Sequence, residues 1–230
     1  MIKNTILSDW IKEIADHTKP DKIVIWEGTQ KQYDETADEL VRLGKAIRLN
    51  PEKRPRSLLF RSDPSDVARV ENRTFISTTD QDSAGPTNNW VAKDSLMPLM
   101  WDLYKDSMKG RTMYVIPYSM GKVGSKFAKI GIELTDSIYV VLNMNIMTRI
   151  GKKVIDNLGD SNDFTRGIHG KVNVDLNERY ICHFPEDNTI YSVNSGYGGN
   201  VLLGKKCHAL RIASYQAKEE EWMAEHMLIL

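Results

Sequence analysis

The stretch Asn194-Ser195-Gly196-Tyr197-Gly198-Gly199-Asn200 constrains this chain more than any other. It leaves a β-rich run, Thr189 to Val193, and its three glycines free the backbone for positive φ angles and for close approach of a ligand to the main chain. Tyr197 is the only bulky side chain it presents. Leu203, Cys207, Leu210, Ala213 and Ala217 follow at spacings of three and four, which predicts a helix whose first turn carries Lys205 and Lys206. A helix start with open N–H groups and two ammonium groups suits an anion. The plainer alternative is a glycine-rich turn into an amphipathic helix with solvated lysines. A Walker A loop fits less well. Gly199, Gly204 and Lys205 have its spacing, but Lys206 stands where Ser or Thr must reach magnesium, and Leu202 and Leu203 fit a helix better than a phosphate loop.

Upstream, the pattern alternates between helix and strand. Leu7, Trp10, Ile11 and Ile14 predict an amphipathic helix stopping before Pro20, and Lys22 to Trp26 reads as a buried strand. A second helix carries Tyr33, Ala37, Leu40, Val41 and Leu43, with Gly44 to cap it. Residues 50–56 read as a surface loop and Thr74 to Thr78 as a strand. A further helix through Leu96, Met100 and Tyr104 closes at Gly110, ahead of strands over Thr112 to Pro117 and Lys129 to Leu134. The small-residue stretch from Ser119 to Ser125 is a turn that could line a ligand cleft. Ile138 to Ile150 is apolar enough for core, with Met144 and Met147 as packing residues. Arg179 to Phe184 and Ile190 to Val193 form a hairpin about Pro185 to Asn188, leading into the glycine loop. The fold class is α/β, with one cleft expected where the hairpin, the glycine loop and the last strand meet.

Two further residues stand out. Asp63, Pro64 and Asp66 suit the start of a short helix that presents Arg69, whose planar donor fork matches a carboxylate. A surface ion pair with Asp66 or Glu71 is the alternative use. Glu225 to Leu230 reads as one buried strand, on which His226 is either a satisfied core histidine or a ligand.

Composition excludes little but is consistent. With 31 basic and 31 acidic residues among 230, the chain has no general attraction for nucleic acid or anionic membranes. The N-terminus becomes charged too early for a signal peptide, and no apolar run approaches membrane-spanning length. Cys182 and Cys207 form no Cys-x-x-Cys pair, which agrees with reduced thiols and a cytoplasmic location.

Several longer segments carry a resemblance. They include Asp-Pro-Ser-Asp-Val-Ala-Arg-Val-Glu (63–71), Gly-Pro-Thr-Asn-Asn-Trp (85–90), Lys-Gly-Arg-Thr-Met-Tyr-Val-Ile-Pro-Tyr-Ser-Met-Gly (109–121), Lys-Ile-Gly-Ile-Glu-Leu-Thr-Asp-Ser (129–137), Ser-Gly-Tyr-Gly-Gly-Asn (195–200), Leu-Leu-Gly-Lys-Lys-Cys (202–207) and Ala-Glu-His-Met-Leu-Ile-Leu (224–230). In this order they resemble GTP-dependent phosphoenolpyruvate carboxykinase over nearly the whole chain. The resemblance implies the mixed-sheet N-terminal domain of that fold over residues 1–230, truncated at its C-terminal strand before the family's P-loop.

By that resemblance the activity would be conversion of oxaloacetate and GTP into phosphoenolpyruvate, CO2 and GDP, as in gluconeogenesis. Arg69 would hold the substrate carboxylate or CO2, and Tyr197, Gly198 and Gly199 would line the substrate pocket. Lys206 and His226 match ligands of the catalytic metal, Mn2+ or Mg2+, one of two metal sites in the intact enzyme. Lys205 and Lys206 are the catalytic candidates. No residue of this chain is assigned to the nucleotide, so GTP and GDP would need the part beyond Leu230. A monomer is expected, inactive as the 230 residues alone. A free-standing small-carboxylate-binding module and a split or degenerate carboxykinase stay open as alternatives, and a P-loop NTPase is the weakest.

The sequence departs from the family pattern at Lys122, Lys126 and Ile138, where prolines are expected. Asn145 stands for an arginine, and Glu221 for a glycine before Trp222.

Overall fold

The computed structural model describes residues 2–61, 71–86, 88–172, 179–194, 212, 215–225 and 228–229. In chain order its elements are α1 (Thr5–Thr18), β1 (Lys22–Ile25), α2 (Gln30–Arg42), β2 (Ile47–Arg48), β3 (Leu58–Leu59), β4 (Thr74–Ile76), β5 (Asn89–Trp90), α3 (Lys93–Tyr104) and β6 (Thr112–Met120). They continue with β7 (Lys129–Thr135), α4 (Ile138–Met147), β8 (Arg149–Ile150), α5 (Lys152–Leu158), β9 (Thr165–Gly170), β10 (Tyr180–Phe184), β11 (Thr189–Val193), β12 (Ala224–Glu225) and β13 (Leu228–Ile229). One nine-stranded mixed sheet runs β1-β6-β7-β9-β11-β10-β4-β5, with β8 added to β6. β7, β9 and β11 are mutually parallel, whereas β6 on one side and β10 on the other run against them.

Local chemistry sets the boundaries. Asn4 caps α1: its Oδ1 accepts from Leu7 N at 2.9 Å, while its Nδ2 donates to the carbonyls of Gly159 and Ser161 and ties the helix to the end of α5. The helix stops at Lys19, left-handed at φ 56, ahead of Pro20. Strand alternation then splits the sheet into two faces. Ile132, Leu134 and Ile168 join α1 and α3 in the larger core, around Trp10, Met100 and Tyr104. On the other face Ile116 and Tyr118 pack with Val140 and Met144 of α4 and with Trp26.

Four expectations need correction. β1 is an edge strand, so Ile23 and Ile25 are exposed rather than buried, and only Trp26 beyond it is enclosed. The segment 138–150 is not uniformly core: a helix cannot bury its whole circumference on one sheet, and Ile146 and Met147 face outward while Met144 is fully buried. Ser119 and Met120 belong to β6, and the turn after them lies at the end of the sheet where β7 begins. The last residues do not form one strand. Ala224 pairs with Ile229 and Glu225 with Leu228, antiparallel, in a small sheet of their own. An apolar run this short satisfies its backbone as readily by folding on itself as by joining a larger sheet.

Burial has a titration consequence. Tyr104, Tyr118, Tyr191 and Cys182 are all held above their ordinary pKa values, first of all by desolvation, with smaller contributions at the tyrosines from carboxylates such as Asp136 and Glu133. A raised folded-state pKa contributes stability that is whole below the unfolded-state value and is lost as pH rises above it. Unfolded cysteine and tyrosine ionise near pH 8.5 and 10, so urea denaturation should show about 2 kcal/mol less stability at about pH 9.5 than at about pH 8. Cys182→Ala should remove more than half of that difference. A flat profile would mean that these groups reach solvent.

Candidate functional site

The C-terminal ends of β7, β9 and β11 open into a cavity of about 1240 Å³. Asp136 lines it just past β7, His169 to Lys171 at the end of β9, and Asn194 just past β11. The carboxyl edge of parallel strands is the usual place for a ligand in an open α/β sheet, because chains leaving neighbouring strands diverge there. The start of α4 (Ser137, Ile138, Tyr139) and the segment after α3 (Lys105 to Gly110) close two further sides.

Arg111 sets the shape of this edge. Its guanidinium pairs with Asp136, whose side chain is 4% exposed, and donates to the carbonyl oxygens of Ser107 and, at 2.7 Å, Lys171. These acceptors occupy its fork, so Arg111 joins the starts of β6 and the ends of β7 and β9 rather than offering itself to a ligand. Behind it, Thr135 and His169 sit opposite one another on adjacent strands, and Thr135 Oγ1 lies 2.7 Å from His169 Nδ1. Ser137 N donates to the same hydroxyl oxygen, so Thr135 ties the start of α4 to the imidazole. Ser192 is the next residue in this row, opposite His169 on β11. Asn194, at φ 57, tolerates the left-handed turn out of β11. Its Oδ1 accepts from Val172 N at 2.9 Å, whereas its Nδ2 and the Ser107 Oγ are buried with no partner among the described residues.

Charge on the lining is one-sided. The carboxylates of Glu39, Asp106 and Asp136 are engaged by Arg42, Lys109 and Arg111. Lys45, Arg61, Lys105 and Lys171 line the same cavity and have no carboxylate within ion-pair distance among the described residues. Among the described residues no three His, Cys, Asp or Glu side chains come together to hold a metal.

Arg69, Tyr197, Gly198, Gly199, Lys205, Lys206 and His226 all lie outside the described residues. Arg61 and Asn194, the described residues bordering the stretches that carry Arg69 and Tyr197, both line the cavity. Sequence reading missed Arg111, Asp136 and His169. The available signal was alternation: Glu133 and Thr135 on β7, and His169 on β9, put polar side chains on one face of buried strands whose other face, with Ile132, Leu134 and Ile168, is in the core.

The family model for the phosphoenolpyruvate carboxykinase N-terminal domain matches residues 9–218. The chain belongs to that family. It is 53% identical over 227 residues to a phosphoenolpyruvate carboxykinase (GTP) of Anaeromyxobacter dehalogenans, covering 99% of this chain and 38% of the relative. Carboxykinases of the same name from Corynebacterium efficiens and Corynebacterium glutamicum are 50% and 48% identical over 239 residues, each covering 99% of this chain and 39% of the relative. The chain thus spans well under half the length of the curated relatives it matches. The mixed sheet with helices on both faces agrees with the α/β carboxykinase N-terminal domain expected from the sequence.

The departures from the carboxykinase pattern have local accommodations. Asn145 Oδ1 accepts the indole N–H of buried Trp26 at 3.1 Å. Ile138 is the first residue of α4, a position that proline also suits. Glu221 holds φ 67 where glycine is expected, and Trp222 N closes the turn on the Ala217 carbonyl at 2.9 Å. Lys122 and Lys126 lie in the exposed turn between β6 and β7, at the far end of the sheet from the cavity.

Proposed function

We propose that this chain is the carboxylate-binding side of a GTP-dependent phosphoenolpyruvate carboxykinase, one N-terminal domain over residues 1–230 that serves the conversion of oxaloacetate and GTP into phosphoenolpyruvate, CO2 and GDP. The observation that carries this reading is the 53% identity over 227 residues to an enzyme of that name. The matched stretch 9–218 also contains Arg69, Tyr197, Gly198, Gly199, Lys205 and Lys206. Arg69 would anchor a substrate carboxylate through two parallel N–H donors, and the glycines of the Tyr197 loop would let the substrate approach the main chain. Lys205 adds positive charge near the place where an enolate oxygen develops on loss of CO2, and Lys206 would be a ligand of the catalytic metal. A monomer in the cytoplasm accompanies the reading. No helix among the described residues is long and apolar enough to cross a membrane.

The donor set in this chain does not by itself fit Mn2+ or Mg2+. Lys206 and His226 would offer two neutral nitrogens, and a hard divalent cation needs anionic oxygen, which no described cluster supplies. Lysine also binds a metal only after losing its proton. Without the metal Lys206 stays charged, and the pocket favours small dianions.

Calorimetric titration with oxalate and with Mn2+ tests this on the 230-residue chain. Oxalate should bind at about millimolar Kd, near 4 kcal/mol, and Lys206→Ala should weaken it at least several-fold. Mn2+ alone should bind weakly, and GTP-dependent turnover should be absent. Turnover by the purified chain, or oxalate affinity indifferent to Lys206, would overturn the assignment.

A further inference from the structure

The cavity at the ends of β7, β9 and β11 has a second wall. Phe60 and Tyr139 meet there with ring centroids 4.4 Å apart and tilted by 56°, and Tyr114, Leu40 and Ile138 extend the apolar surface. Opposite in character are four cations without carboxylate partners among the described residues, Lys45, Arg61, Lys105 and Lys171. The N-terminus of α4, a helix of ten residues capped by Ser137, adds partial positive charge at the same place. Asn194, only 6% exposed, has an Nδ2 donor with no partner among the described residues, at the edge where β11 enters the cavity.

An aromatic wall beside unpaired cations recognises a molecule that is flat and apolar at one end and anionic at the other. A dianion suits the excess of four cations better than a monoanion. We propose that this cavity binds a phosphate monoester carrying a planar ring, an aryl or nucleoside monophosphate, through groups other than those assigned to the substrate carboxylate. The ring lies against Phe60 and Tyr139, and the phosphate meets Lys105, Lys171 and the start of α4. Arg111 and Asp136 act as positioning residues, because they hold the ends of β6, β7 and β9 that shape the cavity. None of the residues named here is one of the carboxykinase substrate or metal candidates, so the site stands or falls apart from that reading.

The test is titration of the full 230-residue chain with phenyl phosphate, with inorganic phosphate and with adenosine 5′-monophosphate, followed by calorimetry. Phenyl phosphate should bind about tenfold more tightly than inorganic phosphate, since only the ester gains ring contact. The double substitution Lys105→Gln/Lys171→Gln and the single substitution Phe60→Ala should each weaken phenyl phosphate about fivefold or more. Lys122→Gln, at the opposite end of the sheet, should change nothing, and circular dichroism confirms that each variant is folded. Phe60→Ala should leave oxalate binding unchanged, and Arg69→Ala should leave phenyl phosphate binding unchanged, because the two sites are separate. Equal affinity for phosphate and phenyl phosphate, or loss of phenyl phosphate binding in Arg69→Ala, overturns the proposal. With phenyl phosphate bound more tightly than phosphate, still tighter binding of adenosine 5′-monophosphate identifies the nucleoside as the source, and equal binding of both esters identifies the aryl phosphate group itself.

Discussion

Gly151→Ala is expected to destabilise the domain by about 4 kcal/mol, a large share of the roughly 5–15 kcal/mol that holds a domain of this kind together. Gly151 joins β8 to α5 at φ 103 and ψ −166, a backbone region that is accessible essentially to glycine alone. Strain there amounts to about 1–3 kcal/mol for any other residue. Space adds to it: a Cβ at Gly151 would lie 2.1 Å from the carbonyl oxygen of Glu27 and 2.7 Å from its carbon. These are backbone atoms, and the segment cannot simply move away. Gly151 N donates to Pro117 O at 3.1 Å, which fixes it to β6, while Glu27 follows Trp26, buried and bonded to Val115 O through its own N–H at 2.8 Å. Gly44→Ala is the matched control. Gly44 also has positive φ, at 68, but nothing lies within 4 Å of its added Cβ, so only the left-handed strain of about 1–2 kcal/mol remains. Urea midpoints of the two variants separate clash from strain. Similar losses for both would show that the Glu27 contact relaxes without cost.

What was legible in the sequence was local. α1 was readable because Leu7, Trp10, Ile11 and Ile14 fall on one helical face and Pro20 forbids continuation, and all four are buried. The hairpin of β10 and β11 was readable because Pro185 to Asn188 is turn chemistry between two β-rich runs, and its register pairs Tyr180 with Val193 through Phe184 with Thr189. The cavity was not readable in the same way. Its shape depends on Arg111 meeting Asp136, residues on different elements that only the β6–β7 pairing brings together. Nor does periodicity say whether a strand lies at an edge, which is why β1 looked buried. The assigned chemistry came from extended motif resemblance, and its residues, Arg69, Tyr197, Lys206 and His226 among them, lie outside the described part of the fold.

Arg69→Ala should lower kcat/KM by about two to three orders of magnitude in an intact carboxykinase that carries this chain as its N-terminal part. The size follows from the contact proposed. Two charge-assisted hydrogen bonds from one guanidinium to a substrate carboxylate, in a site shielded from water, are together worth about 3–4 kcal/mol, and each 1.4 kcal/mol is a factor of ten in rate. The competing use of Arg69, an exposed ion pair with Asp66 or Glu71, is worth at most about 1 kcal/mol of stability and nothing in catalysis. The two readings therefore differ by more than any assay error. Arg69→Lys sharpens the distinction, because lysine keeps the charge and loses the planar fork. If the carboxylate is held by two donors, lysine restores only part of the activity; if charge alone matters, it restores nearly all. Holding oxaloacetate through a contact that is equally strong in ground and transition states would raise KM with little change in kcat, whereas a contact tightened as CO2 departs would lower kcat as well. An unchanged kcat/KM in Arg69→Ala would return the residue to the protein surface and remove the anchor on which the carboxylate assignment rests.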